Sequence, residues 1–334
     1  MRKVMIRMVV AALAATMAVP AVAQTAHPLV WKIVETRTGI VTDLTDPALV
    51  RALFPCGAIT LLGEVHDNAD HHRMRAKLLE VEHDAGGEMR NNCGGPAFVF
   101  EHITSDQQTA LDEFWLGRHR THGGTVDSLL RHLQWGKSGW PSALLFRPLL
   151  QQAIRLGSRI VPGNPAREVT RKVAKQGLDA LDTANAVLLG LDVPLAPASN
   201  DALLSELEAS HCGLMPKSAF GNMAVAQRYR DSYMADVALK ASEASGNVVI
   251  FAGNGHVRTD RGIPYYLKQR APERTVIAVA FTETEDGKLD PATYGPRDAQ
   301  GKPAAGYVAF AAPAQRDDPC EEMRAQFKAK PKQP

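Results

Sequence analysis

The chain has 334 residues, 45% of them apolar and 22% charged, which suits one large folded domain and excludes a disordered polymer. Its formal charge of +2 includes Arg2, Lys3 and Arg7, which precede an apolar run, Met8 to Val19, closing on Ala21-Val22-Ala23. That is the pattern of a cleaved export signal, and without its cations the balance is 35 basic against 36 acidic residues, with no aromatic-interleaved basic stripe to suggest nucleic acid.

At about 12 residues the apolar run is too short to span a bilayer. Cleavage after Ala23, with a signal anchor as the alternative, leaves a mature chain that starts near Gln24 and is expected in the periplasm or secreted. No cysteine precedes Cys56, so a lipid-bearing N-terminal cysteine is not expected. In an oxidising compartment Cys56, Cys93, Cys212 and Cys320 read as two disulfides. Three connectivities are open, and the favoured one joins Cys56 to Cys93, each shortly before a strand, and Cys212 to Cys320.

Strands are predicted at Leu29 to Glu35, Ala58 to Leu62, Ala97 to Phe100, Arg159 to Val161, Asn247 to Ala252, Thr275 to Phe281 and Gly306 to Ala311, with helical patterns between them. The alternation predicts an α/β fold: a mostly parallel sheet flanked by helices, over residues 24–318. Residues 165–246 carry almost no strand signal and predict a mainly helical insertion. Residues 319–334 are rich in Lys, Arg, Glu, Gln and Pro without an apolar face, and predict a mobile tail.

Two apolar strands run into Gly-x-x-His: Gly63-Glu64-Val65-His66 and Gly253-Asn254-Gly255-His256. In a parallel sheet such carboxyl ends gather ligand-binding groups. Glu64 and His66, two apart in extended chain, project the same way. Asp67 or Asn68 then caps a helix whose apolar face includes Met74, Leu78, Leu79 and Val81, and His71 and His72 on its first turn are expected to be solvated.

A third strand ends in Glu101-His102, and a fourth runs through Pro162-Gly163-Asn164 to Arg167 on a helix start. If these strands are neighbours, Glu64, His66, Glu101, Arg167 and His256 converge, with Asn164 and Asn254 beside them. Two imidazoles and two carboxylates suit a divalent metal such as zinc or manganese, and Arg167 suits an anion. Without metal the same groups suit acid/base chemistry or ligand binding.

Gly-x-Ser-x-Gly, a Walker phosphate loop and Cys-x-x-Cys-His are all absent. Trp115, Trp135 and Trp140 flank a segment with His119, His122 and His132, which reads as surface histidine in a helix and loop region.

At LLGEVHDNADHH (61–72), FVFEHI (98–103), IVPGNPAR (160–167), AQRYRDSYMA (226–235) and FAGNGHVR followed by GIP (251–264), the chain resembles the ChaN family, in the superfamily of Tiki proteases and erythromycin-esterase-like enzymes. The resemblance runs from about residue 50 to 285 and implies an exported α/β protein with a part in haem or iron uptake. It also implies a homodimer, with haem held between subunits and a tyrosine on the iron. The candidate tyrosines are Tyr229 and Tyr233, four apart on a predicted helix over 223–244, and Tyr265; aromatics on such a helix are more often core. The Tiki side implies instead a metal-dependent peptide hydrolase using Glu64, His66, Glu101 and His256.

Overall fold

The computed structural model describes residues 27–86, 95–121 and 124–329. The signal segment, Cys93 and His122 lie outside the described residues, and with Cys93 so does the Cys56–Cys93 half of the expected disulfide pairing.

Eight strands form one sheet: β1 Lys32–Glu35, β2 Val41–Asp43, β3 Ile59–Leu62, β4 Ala97–Thr104, β5 Arg159–Asn164, β6 Val248–Phe251, β7 Val276–Glu283 and β8 Tyr307–Ala311. Their spatial order is β2-β1-β8-β7-β3-β6-β4-β5. From β8 to β5 all neighbours are parallel, while β1 is antiparallel to both β2 and β8. The predicted strands are all present; β2 is an addition, too short and too exposed to carry a sequence signal.

The helices are α1 Pro47–Leu53, α2 Ala69–Asp84, α3 Gln108–Thr121, α4 Val126–His132, α5 Ala143–Leu156, α6 Arg167–Gln176, α7 Thr183–Leu188, α8 Pro197–Ser210, α9 Gly221–Ser245, α10 Ile263–Arg270 and α11 Pro319–Ala329. They cover both faces of the central strands, which is why those strands read as unbroken apolar runs. On β4, Phe98 and Phe100 join the cluster with Met74, Leu78, Phe146 and Leu149. Ala97 and Val99 point the other way, toward Ala235, Ala238 and Tyr266. The insertion between β5 and β6 is helical, as predicted, and its long α9 packs on α6 and α10. Among the described residues no helix is long and apolar enough to cross a membrane.

The predicted mobile tail is corrected at 319–329. Those residues form α11, started by Pro319 and by the Asp318 carboxylate accepting the Cys320 N–H at 2.9 Å. A disulfide from Cys320 to Cys212, Cα–Cα 5.6 Å, ties the helix to the insertion. The preceding segment crosses the ends of β7 and β3: Arg316 pairs with Asp67 and Glu283, and the Asn68 amide donates to the Ala312 carbonyl at 2.9 Å.

Candidate functional site

The order β3-β6-β4 makes three motif-bearing strands neighbours, so their carboxyl ends share one mouth. Close backbone approach requires glycine at both motif starts. A Cβ on Gly63 would sit 2.3 Å from Asn254 Oδ1, and one on Gly253 would sit 2.9 Å from His66 Cε1 and Nε2. Asn254 spends its amide on β7, donating to the Phe281 carbonyl at 2.6 Å and accepting the Phe281 N–H at 3.0 Å. It therefore braces the mouth, with its amide nitrogen and oxygen both engaged on β7.

Two polar clusters meet there. In the first, buried Glu64 accepts from His66 Nδ1 at 2.6 Å and His102 Nε2 at 2.8 Å through Oε1, and from Arg75 through Oε2. Arg75 is fully buried on α2 and also donates to His72 Nδ1 at 2.8 Å. His72 Nε2 donates to the His66 carbonyl at 2.9 Å, and His71 Nδ1 accepts the Val65 N–H at 2.9 Å. The expectation that His71 and His72 are solvated is thus corrected: both are fully buried, because the first turn of α2 anchors the loop that carries His66. Asn68, as expected, caps that helix. Burial lowers the pKa of both histidines to about 4, so they are neutral.

In the second cluster, Glu101 accepts the Gly253 N–H at 2.7 Å through Oε2, while Oε1 pairs with Arg230 and lies 3.2 Å from His256 Nε2. His256 Nδ1 donates to Asp231 Oδ1 at 2.6 Å. Arg230 is held by Asn164, whose Oδ1 accepts from Nε at 3.0 Å and whose Nδ2 donates to the Glu101 carbonyl at 2.8 Å. Burial opposes charge on His256, but the Glu101 and Asp231 carboxylates prevail and push its pKa up to about 9. Burial likewise opposes ionisation of Glu101, and His256 with Arg230 outweighs it, holding the carboxyl well below its usual range.

Of the predicted residues, Glu64, His66, Glu101 and His256 do come together, as two pairs rather than one ring. Arg167 stands apart, donating to the Ser138 carbonyl on the wall of an adjoining cavity of about 320 Å³ that Trp140, Asn164 and Arg230 also line. Trp140 stacks edge-on against His66 and His102, ring centroids 4.9 and 4.6 Å apart, so the tryptophan segment belongs to the mouth and not only to the surface. Tyr229 is buried in the core; Tyr233 and Tyr265 are half-buried.

The sequence reading missed Arg75, Arg230 and Asp231. A signal was there. His71, Arg75, Leu78 and Glu82 follow the buried stripe of α2, and Gln227, Arg230, Asp231 and Met234 follow one face of α9 at helical spacing.

The donor atoms of Glu64, His66 and His102 lie within 4.8 Å of one another, compact enough for a cation. Arg75 already neutralises Glu64, and Arg230 neutralises Glu101, so neither carboxylate is an uncommitted ligand. The His66 ring is about one-third exposed, and with its Nδ1 fixed on Glu64, Nε2 is the nitrogen left for a ligand.

No curated protein sequence matches the chain. Among solved structures, ChaN of Campylobacter jejuni with cofacially bound haem superposes with a TM-score of 0.61 at 19% identity, over 83% of this chain and 95% of that one. A succinoglycan biosynthesis protein (TM-score 0.38, 13% identity, 73% and 69% of the two chains) and a protein from Bacillus cereus (0.39, 14%, 75% and 71%) are more distant. The family model described as haem-binding uptake, Tiki superfamily, ChaN, matches residues 57–267, from just before β3 into α10, and so takes in every strand end of the mouth. With more than half of its length matched in this way, the chain belongs to the ChaN family of the Tiki superfamily.

Proposed function

We propose that this protein is exported and carries haem as cargo, bound at the strand-end mouth beside His66 and Trp140. The family description and the haem-bearing ChaN of similar fold support the reading. The observation that carries it to this mouth is the His66 imidazole, about one-third exposed, oriented by a buried carboxylate and walled by an indole. An imidazole so held suits haem iron, and the indole suits the porphyrin face. Tyr229, packed in the core, does not suit the iron; Tyr233 faces a separate cavity with Arg159 and Lys240. The signal-like N-terminus and the Cys212–Cys320 disulfide support an oxidising compartment outside the cytoplasm. A second copy would cover whatever part of the porphyrin the mouth leaves in water.

Haemin titrated into metal-stripped mature protein tests this. Saturable binding with a shifted Soret band is expected, weakened at least tenfold in His66→Ala and unchanged in Tyr233→Phe. Absence of saturable binding overturns the haem reading; a loss in Tyr233→Phe with none in His66→Ala moves the cargo away from this mouth.

The compact Glu64–His66–His102 set favours a second reading, a divalent ion such as zinc or manganese in a metal-dependent hydrolase. The ion would have to compete with Arg75 for Glu64. Zinc titration of the stripped protein, with His102→Ala as control, decides it: no tight site ends this reading.

A further inference from the structure

We infer that the cavity beside the mouth is a carboxylate clamp, in which Arg167 and Arg171 take the two propionates on one edge of the haem; this rests on the haem reading above. The cavity, about 320 Å³, has Trp140, Pro165 and Ala174 among its walls and three guanidiniums, Arg167, Arg171 and Arg230, with no acidic residue among those lining it. A cation-only cavity with apolar walls selects an anion carried on an apolar body.

The three arginines are not equivalent. Arg230 is already spent on Glu101 and Asn164. Arg167 donates to a neutral carbonyl, that of Ser138, and neither it nor Arg171 has a carboxylate within ion-pair distance among the described residues. Two exposed cations without a carboxylate partner therefore remain, at positions i and i+4 on the first turns of α6, side by side on one helix face. Their forks suit bidentate carboxylate binding, and the positive end of the helix dipole adds to the attraction. Haem matches this charge count, since it carries two carboxylates on one edge of an apolar plate. The cavity is at the small end of ligand pockets, room for that edge and not for the whole ring. Shared wall residues, Trp140 against His66 and Arg230 on Glu101, join the cavity to the mouth.

The test compares haemin with haemin dimethyl ester on the full mature protein and on Arg167→Ala, Arg171→Ala and Arg171→Lys. Wild type is expected to bind the ester at least tenfold more weakly than haemin. Each alanine variant should lose about the same factor for haemin and little for the ester, with the Soret position unchanged because the iron's surroundings are intact. Arg171→Lys should recover part of the loss, which a merely structural arginine would not show. Equal binding of haemin and its ester overturns the clamp and leaves the haem reading standing. Failure of both to bind overturns the haem reading and the clamp with it.

Discussion

Arg75 has no exposed surface, yet its guanidinium is the counter-charge of Glu64, itself buried. Removing one member of such a pair strands the other in low dielectric, at a cost of about 3–5 kcal/mol. Arg75→Met should therefore destabilise strongly, and Glu64→Gln in the same chain should recover a good part of the loss by removing the stranded charge. Urea unfolding of the two single variants and the double variant measures the coupling; additivity within about 0.5 kcal/mol would show that the pair does not act as a unit. Much of this site was legible, because residue chemistry at strand ends is conspicuous: Glu64, His66, Glu101 and His256 all reach the mouth. The compensation was written only in helical spacing. Arg73, Arg75 and Lys77 look alike along the sequence, and only their angle around α2 decides that Arg75 faces inward while Arg73 pairs with Asp70 at the surface.

At the scale of elements, the strap from β8 to α11 is held in two ways of unequal strength. Arg316, about one-third exposed, spans Asp67 and Glu283, and exposed pairs of this kind contribute under about 1 kcal/mol each. The Cys212–Cys320 bond closes a loop of 108 residues, for which chain entropy gives up to roughly 4–5 kcal/mol. Cys212→Ser or Cys320→Ser should thus free the strap where Arg316→Ala only loosens it. Hydrogen exchange over residues 312–329 reads the difference, and equal protection in the serine variants and the parent would assign the restraint to other contacts. The strands of the sheet were readable because burial on both faces writes an apolar run into the sequence. α11 was not, because its anchor is a covalent bond to a residue more than a hundred positions away, and an element anchored in that way needs no apolar stripe of its own. β2 escaped for a related reason: three residues, two of them exposed, take their strand conformation from pairing with β1.

For the molecule as a whole, the buried histidines set the pH at which the fold is most stable. His71 and His72 have folded pKa values lowered to about 4, chiefly by burial, and His102 moves in the same direction for the same reason. In the unfolded chain these groups bind protons near pH 6.5, so their contribution is whole above that pH and lost as the pH falls toward 4. His256 runs the other way. Its folded value of about 9 exceeds the unfolded one, so its contribution is whole below about pH 6.5 and is lost as the pH rises through 9. Stability should therefore peak near pH 6.5. Each proton taken up or released contributes about 1.4 kcal/mol per pH unit, and several imidazoles act on the acid limb against one on the alkaline limb. The acid limb, between about pH 6.5 and 5, should then be at least twice as steep as the alkaline limb between about 6.5 and 9. Urea midpoints measured across pH 5 to 9 test the shape, and His256→Gln should flatten the alkaline limb while leaving the acid one intact. A symmetrical curve would mean that His71, His72 and His102 do not act together on the acid limb, and one still rising at pH 8 would mean that His256 is not the cation that Glu101 and Asp231 enclose.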